Sequence, residues 1–202
     1  MILTKKYIQE NKDKFVLENV TEKQFSQNSI DLSLGKYIFI DKKSVFYPMS
    51  YEDLKLGKTI ENKNKEYYKL DLSMFESSPF VLYPDTFILA YTDEWVGSKA
   101  NTNIAWQFLL KSTLARLGLD HNLAGWVEPG YFLPLCLELT TKAPLELRYG
   151  DLIGQAVFHL TTDDSQDYTK SGSYQKHTNL KKLKEEWKPE DILPGNIKNK
   201  FN

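Results

Sequence analysis

The sequence predicts a mainly β protein, a sandwich or barrel, with short helices toward its two ends. Apolar and polar residues alternate strictly over residues 29–35, the pattern of a half-buried strand that ends at Gly35. Further apolar runs of strand length recur between turn signals at residues 84–85 and 149–151. Helical signals are confined to the N-terminus, residues 113–117 and the tail.

The remaining elements follow in chain order. Residues 1–14 predict a short amphipathic helix with Thr4 as its N-cap. Residues 50–69 are polar and rich in lysine, which predicts an exposed excursion between strands. In the tail, three apolar residues fall on one helical face: Leu180, Leu183 and Trp187. The other predicted strands lie at residues 37–40, 80–83, 86–92, 133–139 and 152–160.

Composition limits the classes of protein that fit. The chain has 202 residues, 41% of them hydrophobic, and a formal net charge of -1. This length suits one compact domain with a core, and the near-zero charge argues against a general nucleic-acid binder. A single cysteine, Cys136, excludes an internal disulfide and a zinc site built on several thiolates. No apolar segment approaches the roughly 20 residues of a membrane helix, so we expect a cytoplasmic protein without a membrane partner.

The basic turn, residues 111–119, is the first candidate site. Ser112 is a predicted N-cap and Gly118 a predicted C′ residue, with one or two helical turns between them. Lys111 and Arg116 place positive charge beside a helix start, which suits a polyphosphate. The local pattern alone equally fits a capped surface turn with solvated charges.

The second candidate is the alternating strand around Glu138. Alternation puts Leu135, Leu137 and Leu139 on one face, with Cys136 and Glu138 on the other. If both faces are covered, burial would raise the pKa of Glu138 and suit it to proton transfer. If only the leucine face is covered, the carboxylate is simply solvated.

Two loops are weaker candidates. Glu128 precedes a Pro-Gly turn and would accept hydrogen bonds from a sugar hydroxyl, or belong to a tight hairpin. Residues 168–177 combine small, cationic and aromatic residues, which suits a flap over a nucleotide or a surface loop. The three histidines and one cysteine do not match zinc-ligand spacing, and the signature of zinc base deaminases is absent.

Taken in order, these motifs resemble the dCTP deaminase family, which shares a superfamily with trimeric dUTPases. The basic turn is similar to the family's most specific motif, Arg-Ser-Ser-Leu-Ala-Arg-Leu-Gly-Leu. Residues 29–35 resemble its Ser-x-Asp-Leu-x-Leu-Gly strand. The other matching segments are Met1-Ile2-Leu3-Thr4, Thr92-Asp93-Glu94, Glu128-Pro129-Gly130, Leu137-Glu138, Ile153-Gly154-Gln155 and Tyr174-Gln175.

The resemblance implies a homotrimer of distorted, dUTPase-like β-barrels (the β-clip fold) with active sites shared between subunits. Residues 1–178 would form the domain, including the N-terminal helix and a C-terminal flap, and residues 179–202 a helical, polar tail. The implied reaction is hydrolytic deamination of dCTP to dUTP without zinc, with Mg²⁺ on the triphosphate and no metal ligands from the protein. The implied partners are the nucleotide and further copies of the chain.

The resemblance also implies roles for individual residues. Glu138 would be the proton shuttle, with Ser112 and Arg116 holding the water and the phosphates. Glu128 would read the deoxyribose. The other implied substrate-binding positions are Lys111, Thr113, Leu114, Ala115, Cys136, Leu137, Tyr168, Lys170 and Gln175.

Besides deamination of dCTP to dUTP alone, three further readings of the activity stay open on the sequence. Residues 124–126, Ala-Gly-Trp, resemble bifunctional members that go on to dUMP and pyrophosphate. A monofunctional dUTPase is an alternative, although it needs no carboxylate at the position of Glu138. Departures from the family pattern at Lys111, Leu133 and His177 keep a third reading open, a nucleotide-binding regulatory trimer without catalysis.

Overall fold

The computed structural model of the chain describes residues 1–44, 57–62, 65–75, 79–122, 124–162, 168 and 172–194. Over these residues the fold is mainly β with few helices, as predicted. The strands are β1 Phe15–Glu18, β2 Ile30–Ser33, β3 Tyr37–Asp41, β4 Lys58–Asn62, β5 Lys65–Asp71, β6 Phe80–Leu82, β7 Ile88–Tyr91, β8 Trp95–Ser98, β9 Ile104–Leu110, β10 Leu119–His121, β11 Trp126–Val127, β12 Cys136–Thr141, β13 Leu145–Leu147 and β14 Leu152–Leu160. The α-helices are α1 Lys5–Glu10, α2 Ser112–Arg116 and α3 Leu180–Glu186. Short 3-10 turns lie at Lys12–Lys14, Glu22–Gln24, Lys42–Ser44, Leu72–Phe75 and Pro189–Ile192.

The strands form antiparallel sheets rather than the predicted closed barrel. A six-stranded sheet has the order β10-β12-β7-β3-β5-β4, and a four-stranded sheet has the order β11-β9-β14-β2. Two further pairs join β1 to β8 and β13 to β6. Within the described residues no hydrogen-bonded ring of strands closes, because the ladders end at the edge strands of each sheet. Among the same residues, no helix has both the length and the apolar character needed to cross a membrane.

Alternating leucines and isoleucines build the core. In β2 and the residue after it, Ile30, Leu32 and Leu34 are all fully buried, which confirms the predicted strand. They pack with aromatic residues of β9 and β14, including Trp106 and Phe158. The main core therefore lies under the four-stranded sheet and against the inner face of the six-stranded one.

The N-terminal helix is shorter than predicted. The Thr4 hydroxyl accepts a hydrogen bond from the Tyr7 amide at 3.2 Å, so its predicted capping role is confirmed. Helix α1 ends at Glu10 because Asn11 leaves the helical region and its side chain donates to the Tyr7 carbonyl at 2.9 Å.

The polar segment at residues 50–69 was predicted to be an exposed excursion between strands, but its second half forms strands itself. Strands β4 and β5 pair there, with Ile60 opposite Tyr67. The lysines that indicated a loop lie largely on an edge hairpin, where charged side chains protect an unpaired strand edge. Residues 50–56 lie outside the described residues.

The tail packs onto the β structure through the predicted apolar face. Leu183 of α3 is 6% exposed, and the Trp187 ring contacts Tyr91 and Trp95 edge-on at 5.2 and 5.7 Å. Beyond Trp187, the 3-10 turn Pro189–Ile192 docks on β5, where Lys69 and Glu190 form an ion pair at 2.6 Å. The tail thereby reaches the outer face of the six-stranded sheet.

A buried carboxylate links three segments of the chain. Glu94, which is 2% exposed, accepts hydrogen bonds from the Ser33 amide at 2.9 Å and from the Gln24 side chain at 2.7 Å. Burial raises the pKa of Glu94, and the hydrogen bonds from Ser33 and Gln24 oppose that shift. The Thr-x-Glu motif therefore has a structural use in this fold.

Replacing this carboxylate should destabilise the protein. In Glu94→Ala, the Ser33 amide and the Gln24 side chain lose their acceptor, so we expect the free energy of unfolding to fall by at least about 2 kcal/mol. Urea unfolding at neutral pH measures the loss. The exposed Glu61 of β4 provides the matched control, since Glu61→Ala should change stability by less than about 0.5 kcal/mol. Equal losses in the two variants would contradict this role for Glu94.

Candidate active site

A cavity of about 500 Å³ opens beside β12, a volume in the range of small-molecule sites. One wall is formed by β12 and the loop before it, and the other by β5, β7 and the C-terminal segment. Its aromatic lining includes Tyr67, Phe87, Trp126, Tyr131, Tyr168, Tyr174 and Trp187. Its acidic lining consists of Asp41, Glu128, Glu138 and Asp191.

Strand β12 aims Glu138 into this cavity. Leu135, Leu137 and Leu139 are 8%, 0% and 0% exposed and face the core, as the alternation predicted. Cys136 and Glu138 therefore face the other way and line the cavity. The Glu138 side chain is 28% exposed, which answers the question that the sequence left open: the carboxylate is confined. Because the Leu137 side chain is fully buried in the core, any contact it makes with a ligand is limited to its backbone.

Titratable groups surround Glu138. Its Oε2 lies 3.3 Å from Nε2 of His121, which is 5% exposed. Burial raises the pKa of the Cys136 thiol well above its usual value, and the nearby Glu138 carboxylate raises it further. Burial likewise raises the pKa of the Tyr131 hydroxyl, which donates to the Pro134 carbonyl at 3.4 Å. The thiol and the phenol therefore stay protonated at neutral pH.

The loop between β11 and β12 carries Glu128 on the cavity wall. Gly130 has a φ of 88°, which the predicted Pro-Gly turn requires. The Glu128 carboxylate accepts a hydrogen bond from the Trp126 indole at 3.1 Å. Trp126 is 54% exposed, so both side chains are accessible to a ligand in the cavity.

Gln175 binds this loop rather than the open cavity. It is 1% exposed, its Oε1 accepts from the Phe132 amide at 3.0 Å, and its Nε2 donates to the Gly130 carbonyl at 2.7 Å. Both ends of the amide are thus used by backbone groups. In the structure Gln175 therefore holds the loop, and its predicted contact with substrate stays a prediction.

Tyr168 and Tyr174 of the predicted flap both line the cavity, and Tyr168 packs against the loop before β12. Tyr168 meets the Tyr131 ring edge-on at 5.0 Å, and its carbonyl accepts from the Gly172 amide at 2.6 Å. Burial raises the pKa of its hydroxyl. Lys170, which was expected to act beside it, lies outside the described residues.

The basic turn lies away from this cavity. Lys111, not Ser112, is the N-cap of α2, and Ser112 is the first helical residue. The predicted end is confirmed, because Gly118 has a φ of 97°. The turn leads into β10, which pairs with the far end of β12 at Thr141, about 10 Å along the strand from Glu138.

The residues of this turn are largely solvent-facing. Lys111 pairs with Asp31 at 2.8 Å, while Arg116 is exposed. The other exposed or half-buried members are Ser112, Thr113, Leu114 and Ala115. Within one described chain, the lining therefore unites Glu138, Cys136, Glu128 and Tyr168 but excludes all of residues 111–116.

Sequence reasoning missed several residues of the site. His121 was considered only as a zinc ligand, and its approach to Glu138 depends on the pairing of β10 with β12. Tyr131, Trp187 and Asp191 also line the cavity. The helical spacing of the tail identified Trp187 as apolar, but no local pattern indicates where a tail docks.

Comparison with known proteins agrees with the resemblance. The family model described as dCTP deaminase-like matches residues 2–161. The protein from Nanoarchaeum equitans named dCTP deaminase, dUMP-forming, is 35% identical over 187 residues, which cover 87% of this chain and 93% of that protein. A protein of the same name from Methanosphaera stadtmanae is 32% identical over 166 residues, covering 80% and 78%.

A solved structure supports the fold. The crystal structure of 2'-deoxycytidine 5'-triphosphate deaminase from Agrobacterium tumefaciens superposes with a TM-score of 0.56 at 20% identity. The match covers 79% of this chain and 48% of that one, so this chain spans about half of its length. The protein described here belongs to the dCTP deaminase-like family.

Removing the Gln175 amide should loosen the loop of the site. Gln175→Leu leaves the Phe132 amide and the Gly130 carbonyl without partners in a buried place, so we expect the free energy of unfolding to fall by about 1–3 kcal/mol. Urea unfolding measures this loss, and Gln175→Glu, which keeps one acceptor, should lose less. A Leu variant as stable as the natural protein would show that the loop does not depend on this amide.

Proposed function

We propose that this protein converts dCTP to dUMP, consuming two water molecules and releasing ammonia and pyrophosphate. The observation that carries the proposal is the position of Glu138, a confined carboxylate on the wall of a nucleotide-sized cavity. Relatives that bear the name dUMP-forming support the second half of the reaction, as do Ala124, Gly125 and Trp126 in their bifunctional pattern.

In the proposed deamination, Glu138 moves protons between water and the base. It takes a proton from a water that attacks C4 of cytosine and passes it to the ring nitrogen N3. It then takes the proton of the new C4 hydroxyl and passes it to the leaving amine, which departs as ammonia. A single carboxylate can act as base and then as acid within one turnover, and such assistance is worth roughly 10²–10⁴-fold in rate. The protonated Cys136 and Tyr131 cannot compete as nucleophiles or bases at neutral pH.

The proposed phosphate grip is the basic turn. Lys111, Arg116 and the hydroxyls of Ser112 and Thr113 are cationic and hydrogen-bonding groups, which fit phosphate oxygens rather than a divalent cation. Mg²⁺ would therefore be held by the triphosphate itself and would neutralise part of its charge. Glu128 is proposed to bind the deoxyribose, since its carboxylate lines the same cavity as Glu138.

We further propose that the site is completed by a second copy of the chain in a homotrimer. The basic turn does not line the cavity of its own chain, although the proposed mechanism uses both to hold one nucleoside triphosphate. A turn from a neighbouring subunit would supply the missing cations. Exposed apolar residues near the turn, Leu109 and Leu117, fit a surface that packs against another subunit.

Glu138→Gln tests the proposed chemistry. Gln keeps the shape of the side chain but cannot accept a proton, so ammonia release from dCTP should fall by at least about 10²-fold while nucleotide binding is retained. Chromatography of dCTP, dUTP and dUMP together with an ammonia assay measures both steps. Pyrophosphate release from dUTP supplied directly is the internal control and should persist.

Other results of the nucleotide and ammonia assays would indicate other functions. Hydrolysis of dUTP without ammonia release from dCTP by the natural protein would identify a monofunctional dUTPase. Binding of both nucleotides without turnover would identify a regulatory trimer. Ammonia release that survives Glu138→Gln would refute the role of this carboxylate.

Mixing two inactive variants tests the shared site. Glu138→Gln retains the basic turn, and Arg116→Ala retains the carboxylate, so sites formed between the two chains contain both natural groups. In trimers reassembled from an equal mixture, roughly a quarter of the sites should be active if each site joins two chains. Ammonia release from the mixture measures this recovery. Activity no higher than that of the separate variants would place each site within one chain.

A further inference from the structure

The histidine beside Glu138 is buried, with no hydrogen bond on its Nε2 atom within the described part of the chain. His121 closes β10, is 5% exposed, and its ring stacks at a tilt on Phe108 with 4.8 Å between centroids. Its Nε2 atom is fully buried and lies 3.3 Å from Glu138 Oε2. Among the described residues neither atom has a hydrogen bond with any other group.

The buried Nε2 atom of the His121 imidazole needs a hydrogen-bond partner. Burying a polar nitrogen without a hydrogen bond costs about 1–3 kcal/mol, which a phenylalanine or leucine at the same position would avoid. An acceptor that the structure places near Nε2 is the Glu138 carboxylate, whose Oε2 lies 3.3 Å away. The ring is therefore set to donate its Nε2–H to Oε2 with a small adjustment of either side chain.

The two oxygens of Glu138 are not equivalent. Oε2 is fully buried against His121, yet the whole side chain is 28% exposed and lines the cavity. The accessible area must lie on its other atoms, so of the two oxygens only Oε1 can be the one that a ligand meets. The other titratable groups facing this carboxylate are Cys136 on its own strand and Tyr131 on the preceding loop. Leu89, opposite Glu138 on β7, is apolar.

We propose that His121 is a positioning residue, which holds Oε2 of Glu138 through its Nε2–H so that Oε1 faces the reacting water and base. This inference rests on the proposed function, because it assigns a partner to the same proton shuttle. A free carboxylate rotates about its last bond and presents either oxygen. One fixed hydrogen bond removes that freedom and holds the proton-transfer distance constant.

Two substitutions of matched chemistry test the role. In His121→Gln, the amide nitrogen lies near the place of Nε2 and can still donate to Oε2. In His121→Asn, the same amide is one methylene shorter and does not reach. We expect the kcat of ammonia release from dCTP to fall roughly ten- to hundredfold in Asn and to be largely retained in Gln. Pyrophosphate release from dUTP should change little in either variant.

A double-variant cycle separates positioning from packing. His121→Leu should lower ammonia release in the natural background but not lower it further in the Glu138→Gln background, where the proton shuttle is already absent. Thermal unfolding of each variant reports on the fold. Equal kcat for the Gln and Asn variants, or equal losses of deamination and dUTP hydrolysis, would overturn the inference.

Failure of the inference differs from failure of the proposed function. If the natural protein releases ammonia and Glu138→Gln does not, the proposed function stands whatever the His121 variants do. If the natural protein releases no ammonia from dCTP, the proposed function fails first and the inference falls with it.

Discussion

The site depends on the burial of one face of β12. Each of Leu135, Leu137 and Leu139 buries a side chain worth about 1.5–3 kcal/mol, and together they fix which way the strand faces. Since side chains alternate, a shift of one residue in register would carry all three leucines into the cavity and Glu138 into the core. The hydrophobic core thus sets the direction of a carboxylate that makes no contribution to that core.

The rest of the pocket is held by buried polar groups rather than by strands. The loop that carries Glu128 and Tyr131 has no ladder of its own after β11, so its backbone groups need other partners. Gln175 supplies two of them from a distant part of the chain, and the Ser98 hydroxyl accepts from the Gly130 amide at 3.2 Å. Gln175, which the resemblance implies as a substrate contact, here holds the loop that shapes the pocket.

Local patterns predicted what depends on local physics. Period-two alternation identified β2 and β12. Thr4 correctly predicted the start of α1, and Gly118 the end of α2. The helical spacing of the tail predicted the apolar face that contains Leu183. The pairing of strands that are distant in sequence produces no such local pattern. The edge hairpin of β4 and β5 reads as a polar loop, because its stability comes from a neighbouring strand and not from its own composition. His121 lies beside Glu138 only because β10 pairs with β12.

The distance between the basic turn and the cavity bears on how one triphosphate would be held. An isolated five-residue helix with one exposed arginine, and with Lys111 already paired to Asp31, offers little to a highly charged ligand in water. The cavity, conversely, has four carboxylates in its lining and one lysine, Lys65, which is paired with Asp41, so its net negative charge disfavours an unshielded polyphosphate. Each half is therefore inadequate alone and the two are complementary in charge. A site assembled from the basic turn of one chain and the cavity of another would bring cations to the phosphates. It would also leave the Glu138 carboxylate to act on the base. Neither surface provides both functions by itself.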